Sequence, residues 1–155
     1  MGRGIHLTVD EWFYHWFADE AKIDEVSVLF AKILEVCDKI VMQKGTRLAL
    51  KLYSLVESSV RYPPIQRERV KILIRLFFQN SDKIHWVEEQ DSIPVGLEAE
   101  LPRKDIYLIE MCLATVNKIL ITTDNTLYKN LADTQVVLQI QPFMAEDFIK
   151  RYPSF

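Results

Sequence analysis

Glycine is scarce in this chain. There are four in 155 residues, and Gly2 and Gly4 fall in the first four positions. With only Gly45 and Gly96 left, no glycine-rich loop is available to cradle a phosphate, which excludes nucleotide chemistry of the P-loop or Rossmann kind. Cysteine is scarcer still. Cys37 and Cys112 stand apart, both in helical patterns, and supply neither a disulfide framework nor a zinc site, so a reducing cytoplasm is the expected home. The three histidines, His6, His15 and His85, are scattered and also fail to suggest zinc. No apolar run approaches the roughly 18 residues of a membrane span. The start, Met1-Gly2-Arg3-Gly4, leads into a strand pattern without a signal-peptide core, and no membrane association is expected. An excess of positive charge is missing as well. The net charge of −3 argues against nucleic-acid binding by bulk electrostatics, though a local basic patch stays open.

What is present is ample apolar material. Hydrophobic residues make up 49% and charged residues 26%, enough for one folded domain over residues 1–155 with its own core. Ile5 to Val9 reads as a first strand. Asp10-Glu11 follows, then the aromatic cluster Trp12, Phe13, Tyr14, Trp16 and Phe17. Such a cluster can stack bases, but it is more often a buried helix face, and that is the reading adopted. Val26, Leu29, Phe30, Ile33 and Leu34 form one stripe on a helix over 24–37. A short strand at 40–42 precedes Gly45 and a helix over 46–58, whose apolar face includes Leu48, Leu52, Leu55 and Val56. Pro63-Pro64 stops it.

The next helix, 65–79, carries Val70, Leu73, Ile74, Phe77 and Phe78 inward and Arg67, Arg69, Lys71 and Arg75 on a solvated face. A third strand at 84–87 leads into a loop over 88–104, long enough to suggest a functional or mobile segment. Asp105 opens a helix to 117, with Leu108, Ile109, Cys112, Leu113 and Val116 apolar. Strand 119–121, a short helix over 125–132, a last strand at 136–140 and a helix over 145–152 complete the chain. The alternation of short strands and helices predicts one α/β domain around a largely parallel sheet.

Three acids stand where such a sheet places chemistry. Asp10 follows the first strand, Asp124 follows Ile119–Ile121, and Asp105 opens the helix that leads into that strand. Ligands of parallel sheets bind outside the carboxyl ends of the strands. Asp124 also fits a plain helix cap. Carboxylates gathered in one place repel, and a cation or a raised pKa relieves them. Oxygen-only ligands suit Mg²⁺ or Mn²⁺, and such a metal activates water at a phosphodiester.

The strand ending in Asp10, the segment Lys104-Asp105-Ile106-Tyr107-Leu108-Ile109-Glu110-Met111-Cys112-Leu113-Ala114, and Ile119-Leu120-Ile121-Thr122-Thr123-Asp124-Asn125-Thr126-Leu127 together resemble the PIN domain family. The resemblance spans nearly the whole chain in order and length. It implies a three-layer α/β/α sandwich with a central, mainly parallel sheet of four to five strands. It further implies a metal-dependent endoribonuclease acting on single-stranded RNA, with Asp10, Asp105 and Asp124 as the catalytic, metal-binding acids and Thr122 and Asn125 in support. An antitoxin-type protein partner and a homodimer are implied by the family alone.

Two positions depart from the family pattern. Trp12 stands two places after Asp10, where PIN nucleases carry Asn or a small polar residue. Ala49 falls near the place of a helical Glu, and the next acid, Glu57, lies about 12 Å further along the helix. Arg47 and Lys51 share a face at i, i+4, where they would either neutralise the acids or contact a phosphate. Two functions are therefore carried forward: a Mg²⁺/Mn²⁺-dependent ribonuclease, and a PIN-like module that binds RNA or protein without catalysis. A phospho-acceptor domain ranks below both, since no lysine follows the last strand.

Overall fold

The central strands are short apolar runs, as expected where both faces of a sheet are covered. In the computed structural model, which describes residues 4–88 and 92–154 apart from the side chains of Tyr14, Val56 and Phe78, these runs form a five-stranded, all-parallel sheet. The strands are β1 (His6–Val9), β2 (Lys39–Met42), β3 (Ile84–Trp86), β4 (Ile119–Thr122) and β5 (Gln141–Met144), in the order β3-β2-β1-β4-β5. Helices cover both faces, giving the expected α/β/α sandwich.

Side chains alternate across the sheet with the two-residue period of a strand. Leu7, Val9, Ile40, Met42, Ile119 and Ile121 enter one core. Helices α1 (Trp12–Ala18), α2 (Ile23–Glu35), α3 (Arg47–Ser58) and α4 (Pro64–Leu73) share it with the last helix of the chain. Val41 and Leu120 enter the other core, beneath α5 (Ile106–Leu113), α6 (Asn125–Asp133) and the short α7 (Gln135–Leu138). The aromatic cluster is core, as read: Trp12, Phe13, Trp16 and Phe17 are all buried, while the Tyr14 side chain lies outside the described residues. Phe30 links α2 to this cluster and to Phe77, with ring centroids 5.2 Å from Phe13 and 4.2 Å from Phe77.

The last strand lies further along than its apolar residues suggest. Val136 and Val137 read as β-branched strand residues, but they belong to α7 and are 91% and 57% exposed. Gln139 then turns left-handed at φ 59°, and β5 begins at Gln141. Its Pro142 is tolerated because β5 is an edge strand, where a missing N–H costs no ladder bond. The helix after Asp105 also ends early. Thr115 accepts the Lys118 N–H and donates to the Cys112 carbonyl, which turns the chain and leaves Val116 91% exposed.

The long loop contributes to packing. Ile93 and Leu101 are buried in the second core, and Arg103–Asp105 form a 3₁₀ turn leading into α5; residues 89–91 lie outside the described part. Cys112 is buried and its thiol is pushed up to about 12 by that burial, which makes it inert. The terminal helix α8 (Ala145–Arg151) is tied down through Tyr152, whose hydroxyl donates to buried Asp38 at 2.7 Å; the other oxygen of Asp38 accepts the Ile5 N–H at 2.9 Å. Among the described residues no helix is long and apolar enough to cross a membrane.

Candidate functional site

A parallel sheet of order β3-β2-β1-β4-β5 reverses direction of winding between β1 and β4, and the crevice at the carboxyl ends of those strands is where such folds bind ligands. Asp10 leaves β1 there. Its N–H still reaches the Ile121 carbonyl of β4 at 3.4 Å, so its side chain emerges directly between the two strands. One carboxylate oxygen accepts the Trp12 N–H at 3.0 Å, and the other accepts the hydroxyl of Thr122, the fully buried last residue of β4. The same Thr122 oxygen accepts the Asp124 N–H at 3.0 Å. Thr122 therefore ties the ends of β1 and β4 to the start of α6.

Asp124 carries both functions that its sequence position allows. Oδ1 caps α6, accepting from Thr126 N–H at 2.9 Å and Leu127 N–H at 3.3 Å. Oδ2 faces the crevice and lies 3.5 Å from the Lys104 ammonium. Asp105 completes the trio from the amino end of α5. It is 7% exposed, and its Oδ2 is buried with no hydrogen-bond partner. Asp10, Asp105, Asp124, Glu11, Arg47 and Tyr107 line one shallow recess of about 290 Å³. Asn125 does not join them; it is exposed and lines a neighbouring recess with Thr123 and Met144.

Electrostatics mark the crevice as crowded with negative charge. Burial raises Asp10 from 3.8 to about 6, against the Thr122 and Trp12 hydrogen bonds that favour its ionised form, and the charges of Asp105 and Glu11 push it further up. Asp105 is raised too, chiefly by burial; Lys104 opposes the rise and Asp124 adds to it. Such shifts concentrate at sites that bind or react.

Glu11 has a role that its place beside Asp10 did not disclose. One of its oxygens pairs with Arg47 and the other with Lys51. Burial acts to raise its carboxyl, but Lys51 and Arg47 outweigh that and hold it below the ordinary range. The two cations of α3 thus pair directly with Glu11, and Arg47, which lines the crevice, also acts on Asp105, where its charge opposes the rise. Arg47 also donates to the Lys104 carbonyl at 3.2 Å and lies 5.7 Å from the Tyr107 ring centre. Lys104 and Tyr107 were not foreseen as site residues. Their closeness to Asp105 in sequence was the available signal.

The two departures have separate outcomes. Trp12 is 3% exposed, and its indole N–H donates to the Ile121 carbonyl at 2.8 Å, so its ring is part of the floor and not a ligand. Ala49 is 1% exposed and lines a different, apolar cavity, and among the described residues no Glu of α3 lines the crevice.

The donor set fits a hard cation in its chemistry: oxygen atoms only, one of them buried and unpartnered at Asp105. Among the described residues no three Asp, Glu, His or Cys side chains stand close enough to enclose a metal ion. Mg²⁺ does not require such a cage, since it binds through one or two carboxylates and keeps water and substrate phosphate as its other ligands. Asp10 and Asp105, which line the same recess, are the carboxylates available for such an arrangement. Asp124 is held by an exposed lysine in a pair of the kind worth about 0–1 kcal/mol, so little opposes its release. Comparison with protein-family models, with curated proteins and with solved structures finds no match to this chain.

Proposed function

We propose that this protein is a PIN-type, metal-dependent ribonuclease that hydrolyses phosphodiester bonds of single-stranded RNA. The observation that carries the reading is the convergence of Asp10, Asp105 and Asp124, from three distant segments, on one crevice at the β1/β4 boundary of the sheet. Asp10 and Asp105 would hold Mg²⁺ or Mn²⁺, with Asp124 joining once Lys104 turns away. The bound metal supplies Lewis-acid stabilisation of the phosphoryl oxygens and a more acidic water. Thr122 keeps Asp10 pointed into the crevice from β4. Asp10, which burial raises to about 6, would have to be ionised to hold the dication. Lys104 and the guanidinium of Arg47 face the approaching backbone and offer charge-assisted hydrogen bonds to its phosphate oxygens.

The alternative is a PIN-like module that binds RNA without cutting it. The ion pairs of Lys104 with Asp124, and of Glu11 with Arg47 and Lys51, favour it by making the crevice partly self-neutralised. A phospho-acceptor role has less support, because β5 ends at Met144 and is followed by Ala145, with no lysine at that strand end. Incubation of a single-stranded oligoribonucleotide with Mn²⁺ separates the first two readings. The nuclease cleaves it, and Asp10→Asn, Asp105→Asn and Asp124→Asn each reduce the rate at least about a hundredfold, the scale of lost transition-state charge stabilisation. Binding without cleavage in Mg²⁺ and Mn²⁺ supports the module.

A further inference from the structure

Helix α3 borders two concave regions. Arg47 and Lys51 border the carboxylate crevice, whereas Ala49, Leu52 and Tyr53 wall a second cavity of about 280 Å³, closed by Met42 and Trp86 at the carboxyl ends of β2 and β3. The cavity lies at the carboxyl ends of its strands, as the crevice does at those of β1 and β4. Its apolar walls carry two aromatic rings: Tyr53 is 55% exposed and Trp86 is half-buried. The ammonium of Lys44 lies 6.0 Å from the centre of the Trp86 ring, and the exposed residue Gln79 is part of the lining. Gln79 ends a π-helical turn, Ile74–Phe78, that extends α4. Turns of this kind recur at functional sites because the extra residue redirects side chains.

From these positions we infer that the cavity is a base-binding subsite, which takes one unstacked nucleobase of the single-stranded RNA whose phosphate lies at the crevice. This rests on the reading of the crevice as an RNA site and extends it to substrate contacts. The features fit a base and not a phosphate: flat apolar walls for its faces, an amide that both donates and accepts for its edge, and cations at the rim. Lys44 on one side and Arg47 and Lys51 on the other supply charge for the phosphates flanking that base. Stacking of this kind tolerates any base, since every base has a π-face. The enzyme would therefore require single-stranded substrate and show weak sequence preference.

The experiment is a titration of intrinsic tryptophan fluorescence with a single-stranded oligoribonucleotide in EDTA, so that nothing is cut. Trp12 and Trp16 are buried, and quenching by a stacked base is expected from Trp86 and absent in Trp86→Leu. Tyr53→Ala, at an exposed position, is expected to keep the wild-type melting temperature and weaken RNA binding about 5- to 150-fold, the range for loss of one stacked base. Inorganic polyphosphate, which has charge but no bases, is expected to bind Tyr53→Ala and the parent equally. Affinities for RNA within twofold of the parent in both variants overturn the inference, and so does a Tyr53-dependent polyphosphate affinity. A dimer in light scattering that dissociates in Tyr53→Ala assigns the cavity to a second copy and also overturns it. Cleavage assays in Mn²⁺ keep the two readings apart. Cleavage with unchanged binding in the variants sinks the base subsite alone, and Trp86-dependent binding without cleavage sinks the nuclease alone.

Discussion

Replacing Asp10 by Asn tests the electrostatic state of the crevice without any substrate. In the folded chain burial and neighbouring acids raise Asp10 from 3.8 to about 6. A rise of that size corresponds to about 3 kcal/mol between the protonated and ionised forms. The sign follows from proton counting: between these two pH values the folded chain keeps a proton that the unfolded chain has lost. Stability therefore falls as pH rises from about 4 through about 6, and the full penalty persists above. Partial exposure of the carboxylate to the crevice trims the expected figure to about 2–3 kcal/mol.

Asn at this position can still accept the Trp12 N–H, while the Thr122 hydroxyl loses its charged acceptor. Loss of the hydrogen bond itself applies at both pH values, and the part that depends on the charge of Asp10 is already contained in its raised pKa, so the difference between two pH values reads the titration alone. Urea unfolding at pH 4 and pH 8, in EDTA, reads the difference. Asp10→Asn is expected to gain about 1.5–2.5 kcal/mol on the parent between the two, since part of the penalty is already present at pH 4. A relative change below about 0.5 kcal/mol refutes the claim that Asp10 is held in a negatively charged, dehydrated place. Adding Mn²⁺ at pH 8 closes the argument. At a hundredfold excess over Kd the parent gains about 2.7 kcal/mol, several degrees in Tm for a chain of this length, and Asp10→Asn gains much less.

Glu11→Gln releases Arg47 and Lys51 from their shared carboxylate. It should lower stability by about 0.5–1 kcal/mol, yet tighten binding to single-stranded RNA and steepen its dependence on log salt by about 1; a titration at several salt concentrations reads both. The rings of His6 and His85 stack at 4.0 Å on the sheet. Burial holds both below the ordinary histidine range, with Lys39 lowering both, His85 lowering His6, and Asp38 opposing at His6. Neutral rings are thus favoured on folding, and stability is lost as pH falls through and below about 6.5. His85→Phe keeps a ring against His6 but removes one titrating group, so its Tm should drop by less than that of the parent between pH 7 and pH 5.

Much of the architecture was written in local pattern. The stripe of Val26, Leu29, Phe30 and Ile33 sets α2 with all four buried, and the run Ile119–Ile121 is central strand because nothing polar interrupts it. Where local pattern misled, a longer-range choice prevailed. Val136 and Val137 have strand propensity, yet the sheet pairs Ile119 with Gln141 and Phe143 with Ile121. Backbone pairing to β4 and burial of Ile140 outweighed the preference of two valines that end up at the surface.

The candidate site divides in the same way. Residue type and position by themselves determined that Asp10, Asp105 and Asp124 stand at element ends, since an acid after a strand or before a helix is a local feature. Tertiary structure alone decided the sheet order that sets β1 beside β4, the hydroxyl of Thr122 that joins their ends, and the pairing of Arg47 and Lys51 with Glu11. It also decided that Ala49 faces a cavity with Trp86 and not the acids. The physical reason is range: capping and periodicity act within a few residues, whereas charge pairing and burial depend on which segments, distant along the chain, the core brings into contact.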